Sequence, residues 1–148
     1  MMDLCQKNFN VIEMKIMNNT LIMTVGLPRS GKSTWARKQE HLIVNPDSIR
    51  LAIHGQAFIE DTEPIVWTIT KYMVKALFLA GHNKVILDAT NTTKEARDFW
   101  ISDDWKCIYH LFLASKSECI ERAIKDDKEY LIPVIERMSE EIDYNTEE

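Results

Sequence analysis

The sequence predicts an α/β fold in which helices cover both faces of a parallel β-sheet, and two observations support this. Short apolar segments of strand character alternate along the chain with segments in which apolar residues recur at helical spacing. A helix therefore separates each strand from the next, which is the connection that parallel strands require. The 148 residues, 45% of them hydrophobic and 28% charged, are enough for one domain with its own core.

Four segments have the short apolar character of strands that are buried in a parallel sheet. The first, TLIMTV, directly precedes a turn with two glycines, and the third, KVILD, ends in a carboxylate. The predicted strands are 20–25, 41–45, 84–88 and 106–113.

The helices are predicted from apolar spacing and from residues that favour helix ends. Asn45 suits the cap and Pro46 the first turn of the second helix, which Gly55 ends, and Gly81 stops the long third helix. A threonine at 92 or 93 and a serine at 115 or 117 are candidate caps of two later helices. The predicted helices are 32–39, 46–54, 63–80, one from the threonine cap to about 102, one from the serine cap to 125, and 132–142.

The remaining segments are predicted to be irregular. Residues 1–19 are rich in methionine and lack clear periodicity, so we expect an extension ahead of a single domain at 20–148. Loops are expected at 56–62 and at the charged segment 126–130, and the acidic tail at 143–148 is expected to fray.

Composition and charge narrow the functional classes. A net charge of −5 and an isoelectric point near 5.4 argue against broad, charge-driven binding of nucleic acid, although a local basic site remains possible. The spacing of Cys5, Cys107 and Cys119 fits neither a disulfide framework nor a zinc site. Because we find no membrane-spanning run and no signal-peptide pattern, we expect a soluble, cytoplasmic protein; the oligomeric state is left open.

The segment GLPRSGKS matches the complete G-x-x-x-x-G-K-[ST] pattern of a phosphate-binding loop. It lies between a predicted strand and a predicted helix, where backbone N–H groups and the helix N-terminus can surround a phosphate. Lys32 is predicted to reach the β- and γ-phosphates of ATP, and Ser33 to ligate Mg²⁺. The predicted ATP-binding residues are Gly26, Leu27, Pro28, Arg29, Ser30, Gly31, Lys32, Ser33 and Thr34.

Asp47 and Arg50 follow the second predicted strand, and ligands of open parallel sheets bind at the carboxyl ends of strands. Three residues apart on a helix, the two side chains share a face. Asp47 can accept a proton from an attacking hydroxyl, and Arg50 can hold a phosphate on the acceptor molecule. The alternative is that Asp47 merely caps the helix and Arg50 is a surface cation.

Three further positions are candidates for the same site. Asp88 ends the third predicted strand, where a carboxylate can support Mg²⁺ through water, and Asn91 follows as a candidate contact to substrate. Arg122, with Lys125 on the same helical face, can add positive charge over the transferring phosphoryl group. The alternatives are a strand-end turn for Asp88 and ordinary surface charge for Arg122 and Lys125.

Three segments together resemble the kinase domain of the phage polynucleotide 5′-hydroxyl kinase family: GLPRSGKSTWAR, NPDSIR and DATN. The resemblance spans residues 21–142 and implies a four-stranded parallel sheet of order 2-3-1-4. It also implies that Lys32 and Ser33 bind ATP and Mg²⁺, and that Asp47 is the general base for a 5′-hydroxyl. It further implies that Arg50 grips a 3′-phosphate and that Arg122 is a lid arginine.

The sequence departs from the family pattern at two charged positions. Asp126 stands where the family commonly has a second lid arginine, and it would repel ATP if it faced the site. Either Lys125 or Lys128 then takes that role, or the lid differs. Arg29 stands where the loop often has glycine, and adds a cation near the phosphates.

The expected function is transfer of the γ-phosphoryl group of ATP, with Mg²⁺, to a hydroxyl group. The most favoured acceptor is the 5′ end of a nucleic acid. One alternative is a kinase of the same fold that acts on a nucleoside, a nucleotide sugar or a small metabolite, and a lesser one is a nucleotide-binding module without activity. We expect the four tryptophans to pack in the core rather than on bases; they are Trp35, Trp67, Trp100 and Trp105.

Overall fold

The computed structural model describes residues 18–147, so most of the predicted extension at 1–19 lies outside the described residues. Strands and helices alternate along this part of the chain, as predicted. The strands are β1 (Thr20–Val25), β2 (Leu42–Val44), β3 (Lys84–Leu87) and β4 (Lys106–Leu111). The helices are α1 (Lys32–Lys38), α2 (Pro46–His54), α3 (Glu63–Leu79), α4 (Lys94–Asp98), α5 (Lys116–Lys125) and α6 (Ile132–Glu141), with 3₁₀ turns at Glu60–Thr62 and Glu129–Leu131.

The strands form one parallel sheet of order β2-β3-β1-β4, which confirms the predicted fold class. In the central strand β1, Leu21 lies opposite Val85 of β3 on one side and Cys107 of β4 on the other. Leu21, Met23 and Val25 are fully buried, because helices cover the sheet. The parallel arrangement brings the C-terminal ends of β1, β2 and β3 to the same edge.

Two hydrophobic clusters stabilise the fold. The larger one packs the sheet against α3 and contains Trp100 and Trp105, with Trp67 partly buried against it. Trp35 is half-buried outside both clusters and stacks on His110 at the sheet edge, with ring centroids 4.1 Å apart, which corrects its predicted core position. The smaller cluster joins the phosphate-binding loop to α5 and α6 through Leu27, Cys119, Ala123 and Ile135.

The helix caps resolve the alternatives that the sequence left open. The side chain of Thr93 accepts a hydrogen bond from Ala96 N and caps α4, while Ser115 and Glu118 form a reciprocal capping box at the start of α5. Helix α4 ends at Asp98 rather than near 102, because the chain turns there and buries Trp100 completely. Part of the predicted loop at 126–130 belongs to the second 3₁₀ turn.

The acidic tail is held against the domain, which corrects the expectation that it frays. Asp143 N donates to Thr92 O at 2.9 Å, and the hydroxyl of Tyr144 donates to Phe112 O at 3.3 Å. Arg97, only 3% exposed, donates to the carbonyl oxygens of Asn91 and Asn145. A buried guanidinium needs such acceptors, and the tail supplies one of them.

Between residues 18 and 147, we find no helix with the length and apolar character needed to cross a membrane.

Candidate functional site

Three of the predicted site motifs converge at the C-terminal edge of the sheet. The phosphate-binding loop (residues 26–33) follows β1, Asp47 lies in the first turn of α2 after β2, and Asp88 directly follows β3. In an open parallel sheet this edge is where ligands bind. The fold therefore assembles in space three motifs that are far apart in the sequence.

The loop has the backbone conformation of an anion cradle. Arg29 and Gly31 have φ values of 68° and 103°, and left-handed residues of this kind allow successive backbone N–H groups of a loop to point toward one anion. A Cβ atom on Gly26 would lie 2.7 Å from Ser30 Oγ and 2.8 Å from Phe112 Cβ, so only glycine fits there. Leu27 contributes its carbonyl oxygen to the loop, while its side chain is buried in the smaller cluster.

Lys32 is folded into the loop and is 8% exposed. Its Nζ donates to Leu27 O at 2.5 Å and to Ser30 Oγ at 3.4 Å. Burial lowers the pKa of Lys32 to about 8, although the nearby carboxylates of Asp88 and Asp47 raise it in part. An incoming phosphate would provide the anionic partner that this buried amine lacks at present.

Because the pKa of Lys32 lies near 8, we expect ATP affinity to fall above that pH. Below pH 8 the amine is already charged, whereas above it the amine must take up a proton to pair with phosphate, so Kd should rise by up to about tenfold per pH unit. Calorimetric titration with Mg-ATP at several pH values between 7 and 9.5 measures this. Lys71→Met is the control, since Lys71 also has a lowered pKa but contacts Phe99, and its pH profile should match that of the wild type. A Kd that stays constant up to pH 9.5 would contradict the assignment.

A hydroxyl and a buried carboxylate lie together beside the loop. Ser33 Oγ donates to Asp88 Oδ2 at 2.7 Å, and Asn45 Nδ2 donates to the same oxygen at 3.1 Å; Asp88 is 5% exposed. The hydroxyl oxygen of Ser33 and the carboxylate oxygens of Asp88 are hard ligands of the kind that Mg²⁺ prefers. In proteins Mg²⁺ commonly binds one or two such oxygens and completes its coordination with phosphates and water. Among the residues that the structure covers, no group of three or more His, Cys, Asp or Glu side chains could hold a metal by itself. A magnesium ion at Ser33 would therefore depend on phosphate oxygens.

Asp47 and Arg50 share a face of α2, as their spacing predicted, and they also form an ion pair with Arg50 Nη1 2.6 Å from Asp47 Oδ1. The Asp47 side chain is 75% exposed, while that of Arg50 is 13% exposed. Asn45 caps α2 by accepting from Asp47 N at 2.8 Å, so the carboxylate itself is not the cap. Asp47 is consequently exposed to solvent at the start of α2, paired with Arg50.

Glu63 is a site residue that the sequence analysis missed. Arg50 donates to it twice, from Nε at 2.9 Å and from Nη2 at 2.6 Å, and the guanidinium also lies 5.7 Å from the ring centre of Trp67. Burial alone would lower the pKa of Arg50, but Glu63 and Asp47 outweigh it and the pKa is raised. No local pattern marks Glu63, because it lies at the start of another helix, 13 residues from Arg50.

The contacts of Arg50 change the interpretation of its role. Arg50 was expected to hold a phosphate of the acceptor. Its Nε and Nη2 groups, which could together donate to two phosphate oxygens, both donate to Glu63 instead. Three of the five guanidinium N–H groups have partners in these contacts, which leaves two to offer to an acceptor. Arg50 is therefore fixed in place by Glu63 and in turn orients Asp47.

Asn91 does not face the site, which corrects its prediction as a substrate contact. It is 3% exposed, has a φ of 46°, and its side-chain amide donates to Thr24 O at 2.8 Å. Its own carbonyl oxygen accepts from the buried Arg97. The side chain thus ties the turn after β3 to β1 through this hydrogen bond.

The charged end of α5 lies against the loop. Arg122 Nη1 donates to Arg29 O at 3.1 Å, and the guanidinium of Arg29 forms an ion pair with Asp126. Lys125 is exposed. The two departures from the family pattern, Arg29 and Asp126, are therefore partners, and the expected repulsion by Asp126 is offset by Arg29.

Comparison with known proteins identifies the family of the chain. A family model described as an AAA domain matches residues 21–129. No curated protein sequence matches the chain.

Solved structures share the fold. One chain from a structure titled "Structure of Pnkp1/Rnl/Hen1 complex" is 27% identical with a TM-score of 0.63, and the match covers 70% of this chain. A chain from the "Pnkp1/Rnl/Hen1 RNA repair complex" is 20% identical, with the same TM-score and 85% coverage. A gluconokinase from Sinorhizobium meliloti 1021 is 16% identical with a TM-score of 0.58, over 89% of this chain and 79% of its own.

The matches cover only 38% and 47% of the two chains from the Pnkp1 complexes, so this chain spans less than half the length of either. Gluconokinase, at 16% identity, supports the fold alone. The family match extends from β1 through the phosphate-binding loop to the second 3₁₀ turn, which includes most of the residues of the site. With this loop, this sheet order and this match, the chain belongs to the AAA domain family and has the fold of a phosphate-loop kinase.

Proposed function

We propose that this protein transfers the γ-phosphoryl group of ATP, with Mg²⁺, to a hydroxyl group, and that the acceptor is the 5′-hydroxyl of a polynucleotide. The observation that carries the proposal is the convergence of Lys32, the Ser33–Asp88 pair and Asp47 at one sheet edge. A nucleotide-binding module without activity needs no exposed carboxylate held beside its phosphate site. A kinase does, because the acceptor hydroxyl must lose a proton.

Each group in the proposed site has one task. The loop N–H groups and Lys32 bind the phosphates, and Ser33, with Asp88 behind it, would hold Mg²⁺, which would supply positive charge to offset that of the phosphates. Arg50 orients Asp47, which takes the proton of the acceptor hydroxyl. The acceptor oxygen forms a bond to the γ-phosphorus as the bond from that phosphorus to the bridging oxygen breaks, and ADP leaves. Arg122 adds positive charge from α5.

The acceptor is inferred from similarity and from the site. The 27% identity to a chain from the Pnkp1/Rnl/Hen1 complex, together with the motifs that resemble polynucleotide kinases, supports a nucleic-acid 5′ end. One observation favours the second candidate, a nucleoside, nucleotide sugar or small metabolite that Arg50 does not hold by a phosphate. Glu63 already accepts hydrogen bonds from Nε and Nη2 of Arg50 and offsets the charge of the guanidinium. Arg50 therefore attracts a phosphate on the acceptor only weakly.

A transfer assay tests both candidates. The protein is incubated with γ-labelled ATP, Mg²⁺ and 5′-hydroxyl oligonucleotides, as DNA and as RNA, with and without a 3′-phosphate. Parallel reactions contain nucleosides, nucleotide sugars or gluconate. Labelling of oligonucleotides by the wild type but not by Asp47→Asn would support the polynucleotide activity. Faster labelling of oligonucleotides with a 3′-phosphate would support a phosphate contact by Arg50. Label on small acceptors alone would replace the first candidate by the second.

A further inference from the structure

Two residues at the end of α5 contact Arg29 of the phosphate-binding loop. Arg122 binds the main-chain carbonyl of Arg29 at 3.1 Å, and Asp126 pairs with the Arg29 side chain. The partners are 93 and 97 residues from Arg29 in the sequence. Because both the main chain and the side chain of Arg29 are held, the guanidinium has a defined position relative to the loop.

Packing between the phosphate-binding loop and α5 keeps Arg29 and Asp126 close together. Leu27 of the loop packs with Cys119 and Ala123 of α5, so the loop and the helix form one packed unit. The φ of 68° at Arg29 lies in the left-handed region, where a residue other than glycine is uncommon.

If Arg29 were absent, the position of Asp126 would be electrostatically unfavourable. It is the C-terminal cap residue of α5, where the helix dipole disfavours a carboxylate. It also lies next to a loop that binds anions, so an unpaired Asp126 would repel a polyphosphate. The positive charge of Arg29 offsets both the unfavourable interaction with the helix dipole and the repulsion of a polyphosphate. The ion pair also fixes the direction of the guanidinium.

The guanidinium of Arg29 still has donors to offer. Asp126 engages Nη2, and Nε is buried with no hydrogen-bond partner among residues 18–147, so it is not open to a ligand. The side chain is 27% exposed, which leaves its remaining terminal N–H groups to bind one. A guanidinium has five N–H groups in a rigid fork, so it can hold a carboxylate on one side and a phosphate on another. Arg29 lies on the side of the loop that faces Arg122, the residue proposed to act on the transferring phosphoryl group.

We propose that Asp126 is a positioning residue that directs Arg29 to the terminal phosphate of a bound nucleoside triphosphate, so that Arg29 distinguishes the triphosphate from the diphosphate. The inference rests on the proposed function to the extent that a nucleotide occupies the loop. It adds a phosphate-discriminating role for one loop cation and gives a task to an acidic residue that would otherwise oppose binding.

The test compares the Kd of Mg-ATP with that of Mg-ADP, by calorimetric titration of the full chain. The proteins are the wild type, Arg29→Gln, Asp126→Asn and the double variant. We expect Arg29→Gln to weaken ATP binding about tenfold and ADP binding little, as for loss of a charged hydrogen bond. Asp126→Asn should weaken ATP binding about threefold, and the double variant should bind like Arg29→Gln alone, because Asp126 acts only through Arg29.

Asp127→Asn is the matched control, since it removes the same charge one residue further along. It should bind both nucleotides like the wild type, and thermal unfolding of each variant separates folding from binding. Tighter ATP binding by Asp126→Asn would overturn the proposal, because Asp126 would then compete with phosphate. Equal losses for ATP and ADP, or none, in Arg29→Gln would overturn it too.

The binding readout separates this inference from the proposed function. A protein that prefers ATP through Arg29 but labels no acceptor would sustain the inference and contradict phosphoryl transfer. A wild-type protein that binds neither nucleotide would contradict both.

Discussion

Asp47→Asn is expected to bind ATP like the wild type and to transfer phosphoryl groups about 10²–10⁴-fold more slowly. Asparagine has nearly the same shape as aspartate and can still accept the hydrogen bond from Arg50, but it cannot take the proton of the acceptor hydroxyl. Arg50 also remains fixed by Glu63, so the local structure should survive the substitution. Single-turnover rates, together with the Kd of Mg-ATP, separate loss of chemistry from loss of binding.

Asp103→Asn is a suitable control for this experiment, because it removes an exposed carboxylate on the segment before β4, away from the C-terminal edge of the sheet. It should leave both the rate and the affinity unchanged. If Asp47→Asn retained near-normal turnover, Asp47 would not be the proton acceptor. The exposed carboxylate and its arginine would then have a structural role only.

Lys32→Met is expected to weaken ATP binding by at least about a hundredfold and to abolish measurable transfer. The substitution keeps most of the side-chain volume but removes the charge that pairs with the phosphates. It also removes a buried amine whose charged form is disfavoured by burial, so the free energy of unfolding should not fall. Calorimetric titration and chemical denaturation of the same protein measure the two effects.

The same substitution at Lys71 provides the control, since Lys71→Met removes an amine that contacts Phe99 on the α3 side of the domain. ATP affinity should then match that of the wild type. A Lys32→Met protein that binds ATP normally would show that the buried amine does not contact phosphate. A large loss of stability would instead show that Lys32 has a structural role in the empty loop.

The sequence by itself predicted the order of strands and helices, because that order follows from interactions between near neighbours in the chain. The apolar runs of β1 and β3, the glycines of the loop and the cap at Asn45 act within a few residues. The placement of Asp47 and Arg50 on one face of α2 is local as well, since residues three apart on a helix lie on the same side. The sheet order itself came from the resemblance to a known family rather than from the residues.

Only the tertiary structure decided which charges meet across the chain. Glu63 reaches Arg50 because α2 packs beside α3, and Asp126 reaches Arg29 because α5 packs on Leu27. The inward turn of Asn91 and the attachment of the tail to Arg97 likewise depend on contacts between distant segments. No periodicity in the sequence encodes such pairs, since they form only when buried apolar surfaces fix the helices relative to the sheet.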